Sequence, residues 1–157
     1  PWRIPFLRPM VILCRETCAQ RQAKLTMPLL LEDIYNTLSF DPELRLVRQV
    51  RSREKIPSLQ EMHRCYTALV AAMTPYTRYV FLADLRQSPG NNLPDSERLT
   101  KQLLAPPLKK FRLIASLVST ATGKLQVSRM WRELGVTMGT FMDEGEALTY
   151  LGVIKKP

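Results

Sequence analysis

Tyr79-Val80-Phe81-Leu82-Ala83-Asp84-Leu85 is the stretch that decides the fold of this chain. Its residues do not alternate between apolar and polar, as they would on a strand with one face in water. An unbroken apolar run of this length predicts a strand buried on both faces, as in a parallel sheet covered by helices. The run is followed by a polar loop at residues 86–96, where we expect a functional surface.

Two strands are expected before this stretch, over residues 29–40 and 44–51. Asp41-Pro42-Glu43 between them has the residues of a tight turn, because proline presets one dihedral and Asp can bond to the turn backbone. Alternation in the second strand predicts Val50 on a covered face and Arg51 on an exposed one, near the edge of the sheet. The two strands are expected to form an antiparallel hairpin.

Helical patterns alternate with strands in the rest of the chain. Ile56-Pro57-Ser58 begins a first helix, and Thr74-Pro75 is expected to end it. A second helix is predicted over about residues 94–104, ended by Pro106-Pro107.

A strand over residues 112–119 precedes a third helix, for which Gly135 is the expected C-cap. A short strand over residues 136–141 follows, and Asp143-Glu144-Gly145-Glu146 is a capping-box-like start for a fourth helix. The order β-β-α-β-α-β-α-β-α predicts an α/β fold. We expect a single domain with a mostly parallel sheet of about five strands, an N-terminal antiparallel hairpin and four helices.

Composition, charge and cysteine content indicate which partners and which cellular location to expect. The chain has 157 residues, of which 45% are hydrophobic, and a net charge of +9. The basic residues are scattered without interleaved aromatic side chains, so a nucleic-acid partner is not expected. No apolar run approaches the roughly 20 residues that span a bilayer, so we expect no transmembrane segment. Cys14, Cys18 and Cys65 contain no CxxC pair, which argues against zinc and favours a reducing, cytoplasmic location.

Residues 1–27 differ from the rest of the chain. They hold five basic residues against one acidic residue, and they show no sustained hydrophobic period. We interpret them as a disordered basic extension or as sequence outside the native protein, with a basic anchor for lipid or RNA as the alternative. The folded domain is expected over residues 28–154.

Two loops are expected at the carboxyl edge of the sheet, where open parallel sheets bind ligands. Each leads into a helix N-terminus, whose free N–H groups favour an anion. Candidate partner-binding or switch residues are Asp84, Arg86, Ser88, Gly90, Asn91, Asn92, Asp95 and Ser96 in the first loop, and Thr122, Gly123 and Lys124 in the second.

Several roles are open to these side chains. Asp84 could hold the loop backbone, bind an arginine or bind a metal. The hydroxyls of Ser88, Ser96 and Thr122 could cap helices or accept a phosphate, and a phosphate at a helix start would be stabilised there. Plain turn and cap chemistry is the simpler interpretation.

No catalytic constellation is visible in the sequence. Ser88, His63 and Asp84 could be combined on paper, but Pro89 follows the serine and nothing resembles a nucleophile elbow. Thr122-Gly123-Lys124 lacks the earlier glycine of a phosphate loop, and a leucine follows where that loop needs Ser or Thr. We therefore expect no enzyme, no catalytic residue, no metal and no cofactor.

A stripe of Met and aromatic side chains provides an alternative to a partner-binding loop. Met62, Tyr66 and Trp131 lie on two of the expected helices and would face the sheet. Such residues are more often core than pocket. They could instead surround a lipid or another small apolar molecule held between sheet and helices.

Five segments carry a family resemblance: residues 79–86, 89–92, 112–118, 123–129 and 141–151. Together they resemble the bacterial SpoIIAA-like proteins of the STAS-like superfamily, whose fold is also compared with the lipid-binding CRAL-TRIO domain. The resemblance covers about residues 28–152, and its segments follow the fold rather than a chemistry.

This resemblance implies a small α/β domain with a non-enzymatic, regulatory role, which binds a protein partner as anti-sigma factor antagonists do. Those relatives switch by phosphorylation of a hydroxyl in an Asp-Ser-Ser-Gly-like stretch at the start of a helix. The nearest match here is Asp95-Ser96, followed by Glu97-Arg98. The CRAL-TRIO-like alternative is a carrier of lipid or of another small apolar ligand.

Overall fold

The computed structural model describes residues 27–90 and 93–154. Its strands form one six-stranded sheet in the order of the sequence: β1 (Leu29–Glu32), β2 (Asn36–Asp41), β3 (Leu46–Arg51), β4 (Val80–Asp84), β5 (Leu113–Leu117) and β6 (Gly139–Phe141). The helices of the described part are α1 (Leu59–Met73), α2 (Pro94–Leu108), α3 (Ala121–Glu133) and α4 (Glu144–Tyr150), with a 3-10 turn at Thr74–Tyr76. The expected α/β fold is confirmed. Apart from Met27, the extension assigned to residues 1–27 lies outside the described residues.

The sheet has one antiparallel and one parallel part. β1, β2 and β3 pair antiparallel, whereas β3 to β6 pair parallel. Right-handed crossovers between sequential parallel strands place their connecting helices on one face. There α1, α2 and α3 pack on Val47, Phe81 and Ile114. The short α4 packs on the opposite face, against Leu82 and Leu117.

β4 is the central strand, and all of its residues are buried. Phe81 and Ala83 belong to the core under α1–α3, while Val80 and Leu82 belong to the core under α4. Fully burying a side chain such as Phe or Leu stabilises the fold by about 1.5–3 kcal/mol. The prediction of a strand covered on both faces is confirmed.

The strand expected over residues 29–40 proves to be two strands, so the sheet has six strands and not about five. Asp33 turns the chain, because its Oδ1 accepts the backbone N–H groups of Tyr35 and Asn36, each at 2.7 Å. A short acidic side chain that bonds its own backbone interrupts a strand in this way. Apolar residues on both sides of the turn conceal this signal in the sequence.

β3 is covered on both faces, which corrects the expectation of a half-exposed strand near the sheet edge. The strand at that edge is β1. Leu46 packs on the α4 side and Val47 on the α1–α3 side, so alternation places Gln49 and Arg51 with Val47. Arg51 is only 8% exposed and does not lie on a solvent face.

Pro106 and Pro107 lie inside α2, which continues to Leu108 instead of ending near residue 104. Each proline removes a helical N–H donor. Pro107 and Leu108 are nevertheless buried, and the N–H of Lys109 donates to the carbonyl of Ala105 at 3.1 Å. Burial of these side chains outweighs the lost hydrogen bonds, which the proline signal alone could not reveal.

Three predicted helix boundaries are confirmed by their caps. Ser58 and Asp143 begin α1 and α4, since each side chain accepts a backbone N–H three residues on, at 3.1 and 2.8 Å. Gly135 follows α3 with a φ of 63°, the left-handed conformation that glycine adopts without strain. The last strand begins at Gly139 and is shorter than the expected 136–141.

Candidate functional site

A cavity of about 740 Å³ lies between the sheet and helices α1, α2 and α3. Large apolar and aromatic side chains in its wall are Met62, Tyr66, Leu69, Met73, Phe81 and Trp131. The loops after β3, β4 and β5 contribute to its rim, which lies at the carboxyl edge of the sheet. Parallel α/β sheets bind ligands at this edge.

Small polar side chains on α2 leave this space unfilled. Ser96 and Thr100 face inward at 4% and 7% exposure and line the cavity. Two and three turns further on, the same face carries Leu104 and Leu108, which fill the core. Thr100 satisfies its hydroxyl by donating to the carbonyl of Ser96 at 2.8 Å. The spacing of four residues between these positions is the sequence signal that could have identified this wall.

Two aromatic residues of the cavity wall, Tyr66 and Trp131, carry a polar atom. Trp131 is 5% exposed, and its Nε1–H has no hydrogen-bond partner among the described residues. Buried indoles usually have such a partner. Burial raises the pKa of Tyr66, and a hydrogen bond with Thr100 opposes this shift more weakly. The Tyr66 hydroxyl therefore keeps its proton at neutral pH.

The cavity is basic where it adjoins β3. Arg51 and Lys55 line it there. Nη1 of Arg51 donates to the carbonyl of Tyr35 at 2.7 Å, and Nη2 donates to the carbonyl of Glu54 at 2.8 Å. Burial lowers the pKa of Arg51, although a guanidinium remains protonated at any physiological pH.

Asp84 lies on the other face of the sheet, in a cluster of ion pairs. Arg86 donates to its carboxylate from Nε at 2.9 Å and from Nη2 at 2.5 Å, and Arg48 donates from Nη2 at 3.3 Å. Glu144, the first residue of α4, accepts from Arg48 at 2.6 Å and from Arg86 at 3.1 Å. This Asp84 cluster (Arg48, Asp84, Arg86 and Glu144) ties β3, β4 and α4 together.

The two carboxyl groups of the Asp84 cluster stay ionised. Burial raises the pKa of Asp84, but the hydrogen bonds from Arg86 and Arg48 outweigh burial and leave the pKa below its ordinary value. The hydrogen bond from Arg48 lowers the pKa of Glu144, and burial opposes it less strongly. Burial lowers the pKa of Arg48, yet its bonds to Glu144 and Asp84 leave it raised.

Of the three roles considered for Asp84, two are found. It binds arginines, and it accepts the backbone N–H of Arg86 at 3.3 Å. In the described part of the chain no group of three or more His, Cys, Asp or Glu residues could hold a metal ion. Asp84 and Arg86 take part in the ion pairs between β3, β4 and α4 and are not among the residues that line the cavity.

The first candidate loop is thus divided between two faces. Ser88 and Gly90 line the cavity, as does the buried Ser96. Asp95 is exposed and pairs with Arg98 at 3.2 Å on the surface of α2. The candidates Asn91 and Asn92 lie outside the described residues.

The second candidate loop contributes the opposite rim. Thr122 and Gly123 line the cavity, whereas the exposed Lys124 is not part of its wall. Thr120 caps α3 by accepting the N–H of Gly123 at 3.0 Å, which is the helix-start chemistry weighed against a phosphate site.

Ser88, His63 and Asp84 are not brought together. Ser88 lines the cavity, Asp84 lies across the sheet, and His63 is exposed on α1, with Nδ1 3.5 Å from the hydroxyl of Thr67. Sequence reasoning missed Arg51 and Thr100, because it placed the first on a solvent face and gave no role to the second.

Comparison with known proteins identifies no relative of this chain. No family model, no curated protein and no solved structure matches the chain. No helix in residues 27–90 and 93–154 is long and apolar enough to cross a membrane.

Proposed function

We propose that this protein binds a small, largely apolar molecule in the cavity between the sheet and helices α1–α3. The observation that carries the proposal is the cavity itself, at about 740 Å³ and walled by Met, Leu and aromatic side chains. Binding sites for small molecules are commonly concave, mostly apolar spaces of about 300–1,000 Å³ with a few placed polar groups.

The polar groups in this wall fit that description. Ser88 and Thr122 carry hydroxyls in the part of the wall that the two candidate loops contribute. Thr100 and Tyr66 add hydroxyls on the facing helices. A core packed for stability alone would fill such a space, because protein interiors are normally close-packed.

The regulatory, partner-binding role implied by the resemblance stays a prediction. Ser96, its nearest phosphoacceptor, is 4% exposed and faces the cavity. A kinase would reach this hydroxyl only after the start of α2 had moved away from the sheet. Ligand binding in the cavity is compatible with the inward-facing Ser96 and requires no such movement. We therefore prefer ligand binding to the regulatory role as the proposed function.

A fluorescent probe tests the proposal. The neutral dye 1-aminoanthracene is titrated with the full chain, and we expect saturable binding with enhanced emission. Val127→Trp fills the cavity from α3, where Val127 is half-buried in its wall, and should weaken dye binding by roughly tenfold or more. Arg132→Trp introduces the same side chain on the exposed face of α3 and serves as the matched control.

Two outcomes would overturn ligand binding in this cavity. One is the absence of saturable dye binding by the folded protein. The other is equal binding by the Val127→Trp and Arg132→Trp variants, which would place the dye elsewhere.

A further inference from the structure

Arg51 is a buried cation that pairs with no carboxylate in the described part of the chain. It is the last residue of β3 and 8% exposed, and it lines the cavity. The acceptors that it reaches are the neutral carbonyls of Tyr35 and Glu54, together with the hydroxyl of Ser52 at 3.4 Å. No ion pair to an acidic residue is formed by Arg51 within the described residues, although Asp33 acts on it from a greater distance.

Arg48 on the same strand provides the contrast. It faces the other side of the sheet and pairs with both Asp84 and Glu144. Arg129, a basic residue in the cavity wall on α3, is 3.6 Å from Glu97. Within the described residues, an acid thus pairs with each of these two arginines and none pairs with Arg51.

An uncompensated buried charge is costly, so groups of this kind are usually paired. The ring of Tyr35 lies 5.5 Å from the guanidinium and compensates only part of the charge. Within the described residues, Nη1 and Nη2 of Arg51 donate hydrogen bonds, and Nε–H donates none. Lys55 follows Glu54, whose carbonyl Arg51 reaches, and it also lines the cavity and adds a second positive charge.

We infer that the ligand is an amphiphile with a carboxylate head and an apolar tail, such as a fatty acid. The head lies at Arg51 and Lys55, and the tail lies along Met62, Leu69 and Phe81 in the same cavity. A carboxylate matches the forked geometry of a guanidinium and forms hydrogen bonds that are stronger than those between neutral groups. The inference rests on the proposed function and adds the chemical class of the ligand.

Three probes with one tail separate the head-group effect from apolar binding. Dodecanoate, dodecanol and dodecyltrimethylammonium are each used to displace 1-aminoanthracene from the wild-type protein, below the concentrations at which they form micelles. We expect dodecanoate to bind between about tenfold and a hundredfold more tightly than dodecanol, because its head adds charge-assisted hydrogen bonds. The cationic probe should bind most weakly. This comparison needs no variant.

Variants then locate the head group. Arg51→Met replaces the guanidinium by an unbranched apolar side chain and so removes the charge. The affinity for dodecanoate should then fall to that for dodecanol. Lys55→Met, at an exposed position, should weaken dodecanoate binding severalfold and serves as the second variant if Arg51→Met does not fold. Arg53→Met removes one charge from an exposed residue outside the cavity wall and should leave the preference unchanged.

Equal binding of the three probes, or a carboxylate preference that Arg51→Met and Lys55→Met both retain, would overturn the carboxylate head. Ligand binding as such would survive that result, because 1-aminoanthracene is neutral. Failure of the dye to bind at all would instead refute the proposed function.

Discussion

Asp84→Asn should destabilise the protein by removing one negative charge from the Asp84 cluster while keeping the side-chain volume. The wild-type carboxylate is only 8% exposed and accepts hydrogen bonds from Arg86 and Arg48. The amide of Asn can still accept from one arginine, but its NH₂ group faces another donor. Glu144 then remains as the one acid of the cluster for two arginines.

The size of the effect follows from burial. Removing one partner of a buried ion pair typically costs about 3–5 kcal/mol. The side chains of Arg48 and Arg86 are 24% and 39% exposed and both keep Glu144, so water and the remaining acid stabilise them after the change. We therefore expect a decrease in the free energy of unfolding of about 2 kcal/mol. For a chain of this size that corresponds to a decrease in Tm of roughly 4–8 °C.

The loss should depend on pH. The pKa of Asp84 lies below its ordinary value of 3.8 in the folded protein, so its ionised form stabilises the fold above the unfolded pKa. That contribution is lost as the pH falls through the folded pKa. The difference between wild type and Asp84→Asn should be constant from about pH 7 to pH 5 and should shrink below about pH 4.

Urea unfolding followed by circular dichroism at a series of pH values measures this difference. Asp95→Asn is the matched control, because Asp95 is 62% exposed and pairs with Arg98 only on the surface. It should change stability by less than about 0.5 kcal/mol. A loss at Asp84 no larger than at Asp95, or a loss at Asp84 that persists unchanged at low pH, would refute the reasoning.

Further predictions concern the core, a helix end and a buried thiol. Leu82→Ala, at a fully buried position, should lower the free energy of unfolding by about 3 kcal/mol in urea titrations. Gly135→Ala should lower the free energy of unfolding by about 1 kcal/mol in the same urea titrations, since φ is 63° there. Gly90→Ala is its control and should be neutral, because an added Cβ at Gly90 meets nothing within 4 Å. Burial raises the pKa of the Cys65 thiol, so iodoacetamide should alkylate it at least about tenfold more slowly in the folded protein than in urea, as measured by peptide mass spectrometry. Equal rates would show that Cys65 is accessible.

Local sequence signals identified most elements of the fold. The apolar run of β4, the side-chain cap at Ser58 and the left-handed glycine at Gly135 each depend on residues within a few positions of one another. Expectations failed where a distant contact outweighed a local signal. Pro107 remains in α2 because it is buried, and Asp33 ends β1 by a hydrogen-bonded turn hidden among apolar residues.

The candidate site depended more strongly on long-range packing. Met62, Tyr66 and Trp131, which the sequence offered as side chains that could surround a ligand, line one cavity at the expected carboxyl edge of the sheet. The sequence assigned Asp84 to that site, whereas Asp84 lies on the opposite face of the sheet and pairs there with Arg48 and Arg86. The inward position of Ser96 also depends on how α2 rotates against the sheet.

By itself, the sequence determined the α/β class and the alternation of strands and helices. These properties follow from hydrophobic period, capping and chain direction, which are encoded within short segments. Only the tertiary structure decided that Arg51 faces the cavity and forms no ion pair within the described residues, while Arg48 pairs with Glu144, 96 residues away. The reason is physical: alternation along a strand assigns residues to two faces, but what covers each face is set by helices from elsewhere in the chain.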